Sequence, residues 1–222
     1  ITEPNIPVQV HVLYNDGLSE KYPYRLKRYF RERSAEDRVG AGFVLSKWPL
    51  EPYPVDSVIG GEVAEEFMAG VLTVPDGAMG QRGEMRLGVI AIHPRSPRNI
   101  DRWAYGNEVA TACASLSSRM QEEGLKVVVL ADLNATASGW RSRELFFQGG
   151  LRRAKPLLSP AGTYPARFEI GQHGPFRVVW PATVAIDDAF VSPGIGVRGW
   201  RRLDPVGSDH WPVLVELTAG GE

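Results

Sequence analysis

An apolar run that stops in polar residues constrains the fold of this chain more than any other feature. Residues 126–134 read Lys-Val-Val-Val-Leu-Ala-Asp-Leu-Asn, so an aliphatic segment ends in Asp132 and Asn134. Such a run is typical of a strand buried on both faces, and side chains alternate between the two faces of a strand. Asp132 and Asn134 are therefore predicted to project together from a strand end, where burial requires hydrogen-bond partners or a metal ion.

Three further segments combine a predicted strand with titratable side chains. The polar positions are His93 at the end of the strand 86–93, Asp187 and Asp188 inside the strand 185–192, and Asp209 and His210 before the strand that begins near residue 212. One such position alone fits a structural network as well as an active site, because an acid at a strand end more often caps a turn than catalyses. Four such segments in one chain favour an active site.

These segments resemble, in the same order along the chain, the motifs of the endonuclease/exonuclease/phosphatase superfamily, which is also called deoxyribonuclease-I-like. Residues 131–134 are similar to its G-D-x-N motif, 186–192 to I-D-x-x-x-V-S, and 208–213 to S-D-H-x-P-V. His93 with Pro97, and residues 42–50 with the pattern G-x-x-x-L-S-r-x-P-L, extend the resemblance over about residues 40–217. The chain departs from the family pattern at Ala131, where glycine is usual, and at Asp188.

The resemblance implies an α/β (α+β) fold, a four-layer sandwich in which two packed, mainly antiparallel β-sheets are flanked by helices. It also implies a hydrolase of phosphate esters, whether phosphodiesterase, endonuclease, exonuclease or phosphatase, that uses Mg²⁺ or Mn²⁺ and in-line attack by water. The implied catalytic residues are His93, Asp132, Asn134, Asp187 and His210, and the implied metal ligands are Glu3 and Asp209.

Each implied catalytic side chain has its own task. Asp132 would orient or deprotonate the attacking water, and Asn134 would hold that water or a phosphoryl oxygen. His210, oriented by Asp187, would donate to a non-bridging oxygen, while His93 would contact the same phosphate from the other side. Two structural alternatives stay open: Asp187 could be a buried acid that binds backbone amides, and His93 could simply end a strand.

The first residues carry a further part of the resemblance. Thr2-Glu3-Pro4-Asn5 is similar to the family segment in which a glutamate at the end of the second strand binds the metal. The resemblance then places the family's first strand upstream of residue 1. Residues 1–222 are therefore expected to form a single domain whose N-terminal strand lies outside this chain. The alternative function is a phosphate- or nucleic-acid-binding module that keeps the fold without turnover.

Charge leaves the substrate open among nucleic acid, a phospholipid headgroup and a small phosphate ester. The net charge is −1, so no global basic field favours non-specific binding of nucleic acid. A nuclease would instead need a local rim of aromatic and basic side chains. The candidates for such a rim are Trp140, Arg141, Arg143, Trp180, Trp200, Arg201 and Arg202. No protein partner is implied.

Cysteine content and hydropathy restrict the class of protein further. A single cysteine excludes an internal disulfide and a cysteine-based zinc site. The sequence contains no uninterrupted apolar run of membrane-spanning length and no signal peptide, so the chain as given is expected to be a soluble domain. Its localisation stays unassigned, and export or membrane tethering through an upstream segment is left open.

Periodicity and turn residues predict the remaining elements. Strands are expected at 39–46, 68–74, 86–93, 127–132, 185–192 and 212–217, and helices at 5–14, 99–123 and 142–148. In the longest helix, Asn99 is placed to cap the N-terminus and Gly124 to end the C-terminus. One face of this helix carries the series Val109, Cys113, Leu116 and Met120. That face is predicted to lie in the core.

Overall fold

The computed structural model describes residues 18–27, 43–165, 168–169, 177–178, 184–204, 208 and 210–220. Within them, the α-helices are α1 (Leu18–Lys21), α2 (Gly61–Ala64), α3 (Ile100–Glu122) and α4 (Trp140–Phe147), with a 3-10 turn at Val55–Ser57. The strands are β1 (Tyr24–Lys27), β2 (Phe43–Ser46), β3 (Leu50–Pro52), β4 (Phe67–Val74), β5 (Met85–Ile92), β6 (Lys126–Asp132), β7 (Arg152–Arg153), β8 (Phe168–Glu169), β9 (Arg177–Val178), β10 (Asp187–Val191), β11 (Ile195–Arg202) and β12 (Val213–Ala219).

A six-stranded sheet forms the centre of the molecule, in the order β3-β4-β5-β6-β10-β7. Its neighbouring strands are antiparallel except β5 and β6, which are parallel and joined by α3. A parallel pair needs such a crossover, because a tight turn can join only antiparallel strands. Three two-stranded ladders, β1-β2, β8-β9 and β11-β12, accompany the central sheet.

The central sheet separates two hydrophobic clusters. On one face, helices α2, α3 and α4 cover a cluster that includes Ile90, Leu116, Val127, Val129 and Phe190. On the other face, side chains of β2, β11 and β12 cover a second cluster that includes Val74, Leu87, Val89, Val128, Val191 and Ile195. The mixed α/β class and the two packed, mainly antiparallel layers are therefore confirmed.

Helix α3 is built as its sequence predicts. The side chain of Asn99 accepts a hydrogen bond from the backbone N–H of Arg102 at 2.9 Å, which caps the N-terminus. Gly124 follows the C-terminus with a φ of +82°, a conformation that favours glycine. The predicted core face is confirmed, because Val109, Cys113, Leu116 and Met120 are all fully buried. No helix among the described residues combines the length and the apolar character needed to cross a bilayer.

Two strand predictions need correction. The run before Asp132 is not buried on both faces, because Leu130 is 42% exposed on the face that Asp132 shares. Strand β11 was not predicted, since Gly196, Arg198 and Gly199 interrupt its apolar pattern; it forms by pairing with β12 across an irregularity between Val197 and Gly199. The predicted helix 5–14 and the strand residues 39–42 lie outside the described residues.

Candidate active site

Strand direction brings the candidate residues to one edge of the central sheet. The parallel strands β5 and β6 both end at this edge, β5 immediately before His93 and β6 at Asp132. Strand β10 is antiparallel to β6 and begins here, with Asp187 directly opposite Asp132. His210, three residues before β12, contacts both carboxylates.

The imidazole of His210 lies between two opposed carboxylates. Its Nδ1 is 2.8 Å from Oδ2 of Asp187 and 3.7 Å from Oδ2 of Asp132. Like charges at directly opposed positions of an antiparallel pair repel each other, so a positive group is needed between them. The hydrogen bond at Nδ1 fixes the ring so that Nε2 points away from Asp187.

Asp132 and Asn134 tie the ends of β5 and β6 together. His93 Nε2 lies 3.2 Å from Oδ2 of Asp132. The backbone N–H of Asn134 donates to Oδ1 of Asp132 at 2.9 Å, and its side-chain Nδ2 donates to the carbonyl oxygen of Pro94 at 3.1 Å. Asn134 has a φ of +48°, in the left-handed region that asparagine tolerates better than most residues. The turn after β6 therefore holds the His93 turn in place.

The pKa of Asp132 lies below its ordinary value. Burial raises this pKa, but the hydrogen bond and charge of His93, the charge of His210 and the backbone N–H of Asn134 together outweigh burial. The carboxylate is thus ionised at neutral pH. An ionised group of low pKa is a better hydrogen-bond acceptor or cation ligand than a proton acceptor.

Residues near 163 and 208 support Asp187 and His210. Thr163 is fully buried, and its Oγ1 accepts hydrogen bonds from the backbone N–H groups of Ile186 and Asp187 at 3.1 Å each. Ser208 Oγ accepts from the backbone N–H of His210 at 3.0 Å. The ring of Tyr164 lies 5.0 Å from the imidazole of His210. These contacts hold both the carboxylate-bearing strand end and the imidazole.

The guanidinium of Arg141 lies behind the site and joins its two turns. Arg141 is 2% exposed, and its Nη1 donates to the carbonyl oxygens of Arg95 at 3.0 Å and Leu133 at 2.9 Å. Its Nε donates to Oδ1 of Asn107 on α3 at 3.1 Å. Arg95 follows β5 and Leu133 follows β6, so one buried cation holds together the turns that carry His93 and the Asp132 motif.

Space for this guanidinium depends on a glycine. A Cβ at Gly106 of α3 would collide with the Nη2 and Cζ atoms of Arg141. Burial lowers the pKa of Arg141, and the charge of Asp132 opposes that shift. An arginine stays protonated even when buried, so the site has a fixed positive charge beneath it.

Asp188 belongs to a different cluster, on the opposite face of β10 from Asp187. Its Oδ2 accepts from Arg153 Nε at 2.7 Å, and its Oδ1 accepts from the backbone N–H of Ala189 at 2.8 Å and from Trp200 Nε1 at 3.0 Å. Burial raises the pKa of Asp188, and these partners oppose the rise. The departure from the family pattern at this position therefore adds no charge to the site.

Five of the seven predicted site residues lie together at this edge. They are His93, Asp132, Asn134, Asp187 and His210. Glu3 and Asp209, the predicted metal ligands, lie outside the described residues, so their role stays a prediction. The roles of the five residues in catalysis stay predictions as well.

Sequence reasoning missed the residues that support the site. Thr163 and Tyr164 belong to none of the predicted strands or motifs, and Ser208 enters only as the first residue of the motif 208–213. Arg141 was a candidate for an aromatic and basic rim, but it is buried and does not serve there. A lone Arg at the start of a predicted helix carries no signal for burial. Trp200, another rim candidate, has a structural contact instead, because its Nε1 donates a hydrogen bond to Oδ1 of Asp188.

The donor set of the site fits a divalent cation. One ligand atom each from Asp132, Asp187 and His210 lies within 4.8 Å of the others. Carboxylate oxygens are the ligands that Mg²⁺ and Mn²⁺ prefer, and two opposed carboxylates need a positive charge between them. Because Nδ1 of His210 is hydrogen-bonded to Asp187, the carboxylates of Asp132 and Asp187 are the first candidates to hold the ion.

A family model described as "Endonuclease/Exonuclease/phosphatase family" matches residues 7–210. No curated protein matches the chain. Among solved structures, an endonuclease/exonuclease/phosphatase from Beutenbergia cavernae superposes with a TM-score of 0.54 at 16% identity, over 97% of this chain and 57% of that one.

Two further solved structures have the same fold. The human Nocturnin catalytic domain superposes with a TM-score of 0.55 at 13% identity, over 94% of this chain and 77% of that one. A beta toxin from Staphylococcus aureus superposes with a TM-score of 0.54 at 13% identity, over 96% of this chain and 83% of that one. At these identities the likeness shows the fold alone. The chain spans 54% to 57% of the length of several matched chains.

Proposed function

Because the chain belongs to the endonuclease/exonuclease/phosphatase family, we propose that it hydrolyses phosphate esters and needs a divalent cation, Mg²⁺ or Mn²⁺, to do so. The family consists of phosphoesterase and nuclease hydrolases. One observation carries the proposal: Asp132 and Asp187 face each other across two strands, and His210 lies within 4 Å of both. A purely structural network has no need to hold two carboxylates against each other.

Asp132 orients the attacking water in this proposal. Its oxygens already accept from His93 and from the backbone of Asn134, and its lowered pKa keeps it ionised. A carboxylate of this kind aligns a water by accepting a hydrogen bond from it. His93, whose Nε2 lies 3.2 Å from Oδ2 of Asp132, contacts the same phosphate as His210, from the other side.

His210 stabilises the charge that develops on the phosphoryl group. Asp187 accepts at Nδ1 and favours the protonated ring, so Nε2 can donate to a phosphoryl oxygen. Thr163 and Ser208 fix the backbone on both sides of this pair. A donor held in place before the reaction costs no reorganisation when charge develops.

A divalent cation bound at these carboxylates would neutralise phosphate charge and polarise the phosphorus. Asp132 and Asp187 are the described residues that would hold it. The resemblance adds Glu3 and Asp209 to that set as predictions.

The test measures hydrolysis of bis(para-nitrophenyl) phosphate, para-nitrophenyl phosphate and plasmid DNA by the protein with Mg²⁺, with Mn²⁺ and with EDTA. His210→Ala is purified in parallel and reveals any contaminating activity. Arg119→Ala is the matched control, because Arg119 is an exposed residue on α3 whose ion pairs within the described part of the chain are with Glu122 and Glu123. Circular dichroism confirms that each variant is folded.

We expect turnover that is lost with EDTA and with His210→Ala and is kept in Arg119→Ala. Turnover that persists in EDTA would contradict the metal requirement. Absence of turnover on every ester, together with phosphate or oligonucleotide binding by the folded protein, would replace the enzyme with the binding module.

A further inference from the structure

Three loops leave the central sheet at the same edge as the candidate site. Strands β5, β6 and β7 point in one direction, because β5 is parallel to β6 and both β6 and β7 are antiparallel to β10. The segments that follow them, residues 93–99, 133–139 and 154–163, therefore all project at the edge that carries His93 and Asp132. Together with the first turns of α3 and α4, these segments form what we call the loop face.

The loop face exposes large apolar side chains. The fractional exposures are 71% for Ile100, 49% for Trp103, 40% for Trp140, 90% for Leu157 and 92% for Leu158. Tyr164, against the imidazole of His210, is also exposed. Scattered single apolar residues are normal on a protein surface, whereas a concentration around one site marks an interaction surface.

The charge of the loop face is positive. Arg98, Arg102 and Arg143 have no ion-pair partner among the described residues, and Arg98 and Arg143 are exposed. Within the three segments and the two first helical turns, Asp101 is the only acidic residue. Asp132 and Asp187 are the carboxylates of the site itself. Glu62, Glu65 and Glu66 also lie at this edge, but they precede β4, on the side of the sheet order away from β7.

We propose that the loop face docks on an anionic phospholipid bilayer and that the site acts on a phosphate ester of a lipid headgroup. The inference rests on the proposed phosphoesterase function. Leu157 and Leu158 enter the acyl region, Trp103 and Trp140 lie at the headgroup level, and the arginines contact lipid phosphates. Docking brings headgroups to His93, Asp132 and His210 without removing the lipid from the membrane.

The exposed side chains of Leu157 and Leu158 favour a bilayer over a nucleic acid as the partner. Tryptophan and arginine serve both partners, because bases stack on aromatic rings and phosphates pair with guanidinium groups. Adjacent leucines that are 90% and 92% exposed gain nothing from base stacking, but they gain from transfer into hydrocarbon. Leu157-Leu158 is therefore the feature that separates the two partners.

The test is sedimentation of the protein with phosphatidylcholine vesicles, with and without phosphatidylglycerol, in EDTA. We expect sedimentation with the anionic vesicles and a loss of partitioning of about tenfold or more in Leu157→Ser/Leu158→Ser. Arg98→Gln/Arg143→Gln should weaken binding to anionic vesicles and reduce its salt dependence.

The matched control is Phe146→Ser/Phe147→Ser. These aromatic residues are also exposed, but they lie at the C-terminal end of α4, away from the loop face. Their replacement should leave vesicle binding unchanged. Circular dichroism and a thermal melt verify folding of each variant.

Three outcomes would overturn the proposal. They are no sedimentation of the unmodified protein, equal sedimentation of the leucine variant, or an equal loss in the phenylalanine control. Binding of a single-stranded oligonucleotide that depends on Trp103 and Trp140 but not on the leucines, without vesicle binding, would replace the bilayer by a nucleic acid.

The readout needs no turnover, so failure of the phosphoesterase proposal leaves the sedimentation result intact. If docking fails, hydrolysis of the soluble diester by the unmodified protein still decides the phosphoesterase proposal.

Discussion

Asp187 and Asp188 are consecutive residues of one strand, yet they belong to regions of opposite character. Asp188 has a 1% exposed side chain that is bound by Arg153, a backbone N–H and Trp200. The Asp187 side chain is 18% exposed, and it faces the carboxylate of Asp132 with the imidazole of His210 between them. The charge of Asp188 is compensated by the permanent cation of Arg153. The charge of Asp187 is compensated by the imidazole of His210, a group that can gain or lose a proton.

Structural and functional acids differ in the groups that compensate their charge. A structural acid is paired with a permanent cation because an uncompensated buried charge destabilises the fold. A functional acid lies near groups that gain or lose a proton, a metal ion or a substrate during a reaction.

The largest expected effect is on activity, and it separates the two acids directly. Asp187→Asn removes the acceptor that orients His210, so kcat should fall about 10²- to 10⁴-fold with little change in stability. Asp188→Asn should keep kcat within about twofold while the free energy of unfolding falls by about 1–3 kcal/mol. Kinetics on a soluble diester and urea denaturation measure both, and equal kinetic losses in the two variants would break the distinction.

The next effect concerns stability alone. Arg153→Met leaves the carboxylate of Asp188 buried without its cation, which should cost about 3–5 kcal/mol in urea denaturation. Arg198→Met, at an exposed position of β11, is the control and should change stability by less than about 0.5 kcal/mol. The double variant Arg153→Met/Asp188→Asn should recover part of the loss, because the uncompensated charge is gone. Strict additivity would show that the two groups do not interact.

A third prediction links the buried region behind the site to catalysis. Arg141→Lys cannot reproduce the fork that holds the carbonyls of Arg95 and Leu133, so kcat should fall about 10- to 100-fold with KM nearly unchanged. Gly106→Ala should shift the same guanidinium without altering its charge and lower kcat in the same direction.

The control for this prediction is Gly60→Ala, because a Cβ at Gly60 meets no atom within 4 Å. Its kcat should match that of the unmodified protein. If Gly106→Ala lowers thermal stability and leaves kcat intact, Arg141 is only a packing residue.

The smallest effect is on the pH dependence of stability, where the two regions should have opposite slopes. The pKa of Asp188 is raised, so its contribution to stability is greatest at low pH and decreases as the pH rises from 3.8 through the raised pKa. The pKa of Asp132 is lowered, so its contribution is present above 3.8 and is lost as the pH falls through the lowered pKa.

Urea denaturation between about pH 2 and pH 6, in EDTA, compares the protein with Asp188→Asn and Asp132→Asn, since neither replacement titrates in this range. Stability differences that run in the same direction with pH for both variants would refute the assignment of opposite shifts.

The motif residues of the site were predictable from the sequence because each one sits at the end of an apolar segment. His93, Asp132 and Asn134 lie at the ends of apolar segments, and Asp187 precedes the apolar part of one. That they meet at one edge depends on the parallel pairing of β5 with β6 and the antiparallel pairing of β6 with β10, which the sequence does not give. The facing of Asp188 away from Asp187 also follows from alternation along a strand.

The residues that hold the site in place were not predictable from the ends of apolar segments. Arg141 is separated by more than thirty residues from Asn107 and from the turn at Arg95 that it holds. Thr163 likewise serves a strand more than twenty residues away. Contacts between such distant residues leave no periodic pattern in the chain.

By itself the sequence determined where β2, β4, β5, β6, β10, β12, α3 and α4 lie, which face of α3 is buried, and which polar residues end the strands. These are local properties, set by side-chain periodicity and by capping residues. Only the tertiary structure decided that Arg141 lies under the site, that Leu130 is exposed, and that three loops form one apolar and basic face. These outcomes depend on the order and direction of the strands in the sheet. Contacts between residues that are distant in sequence determine that order and direction.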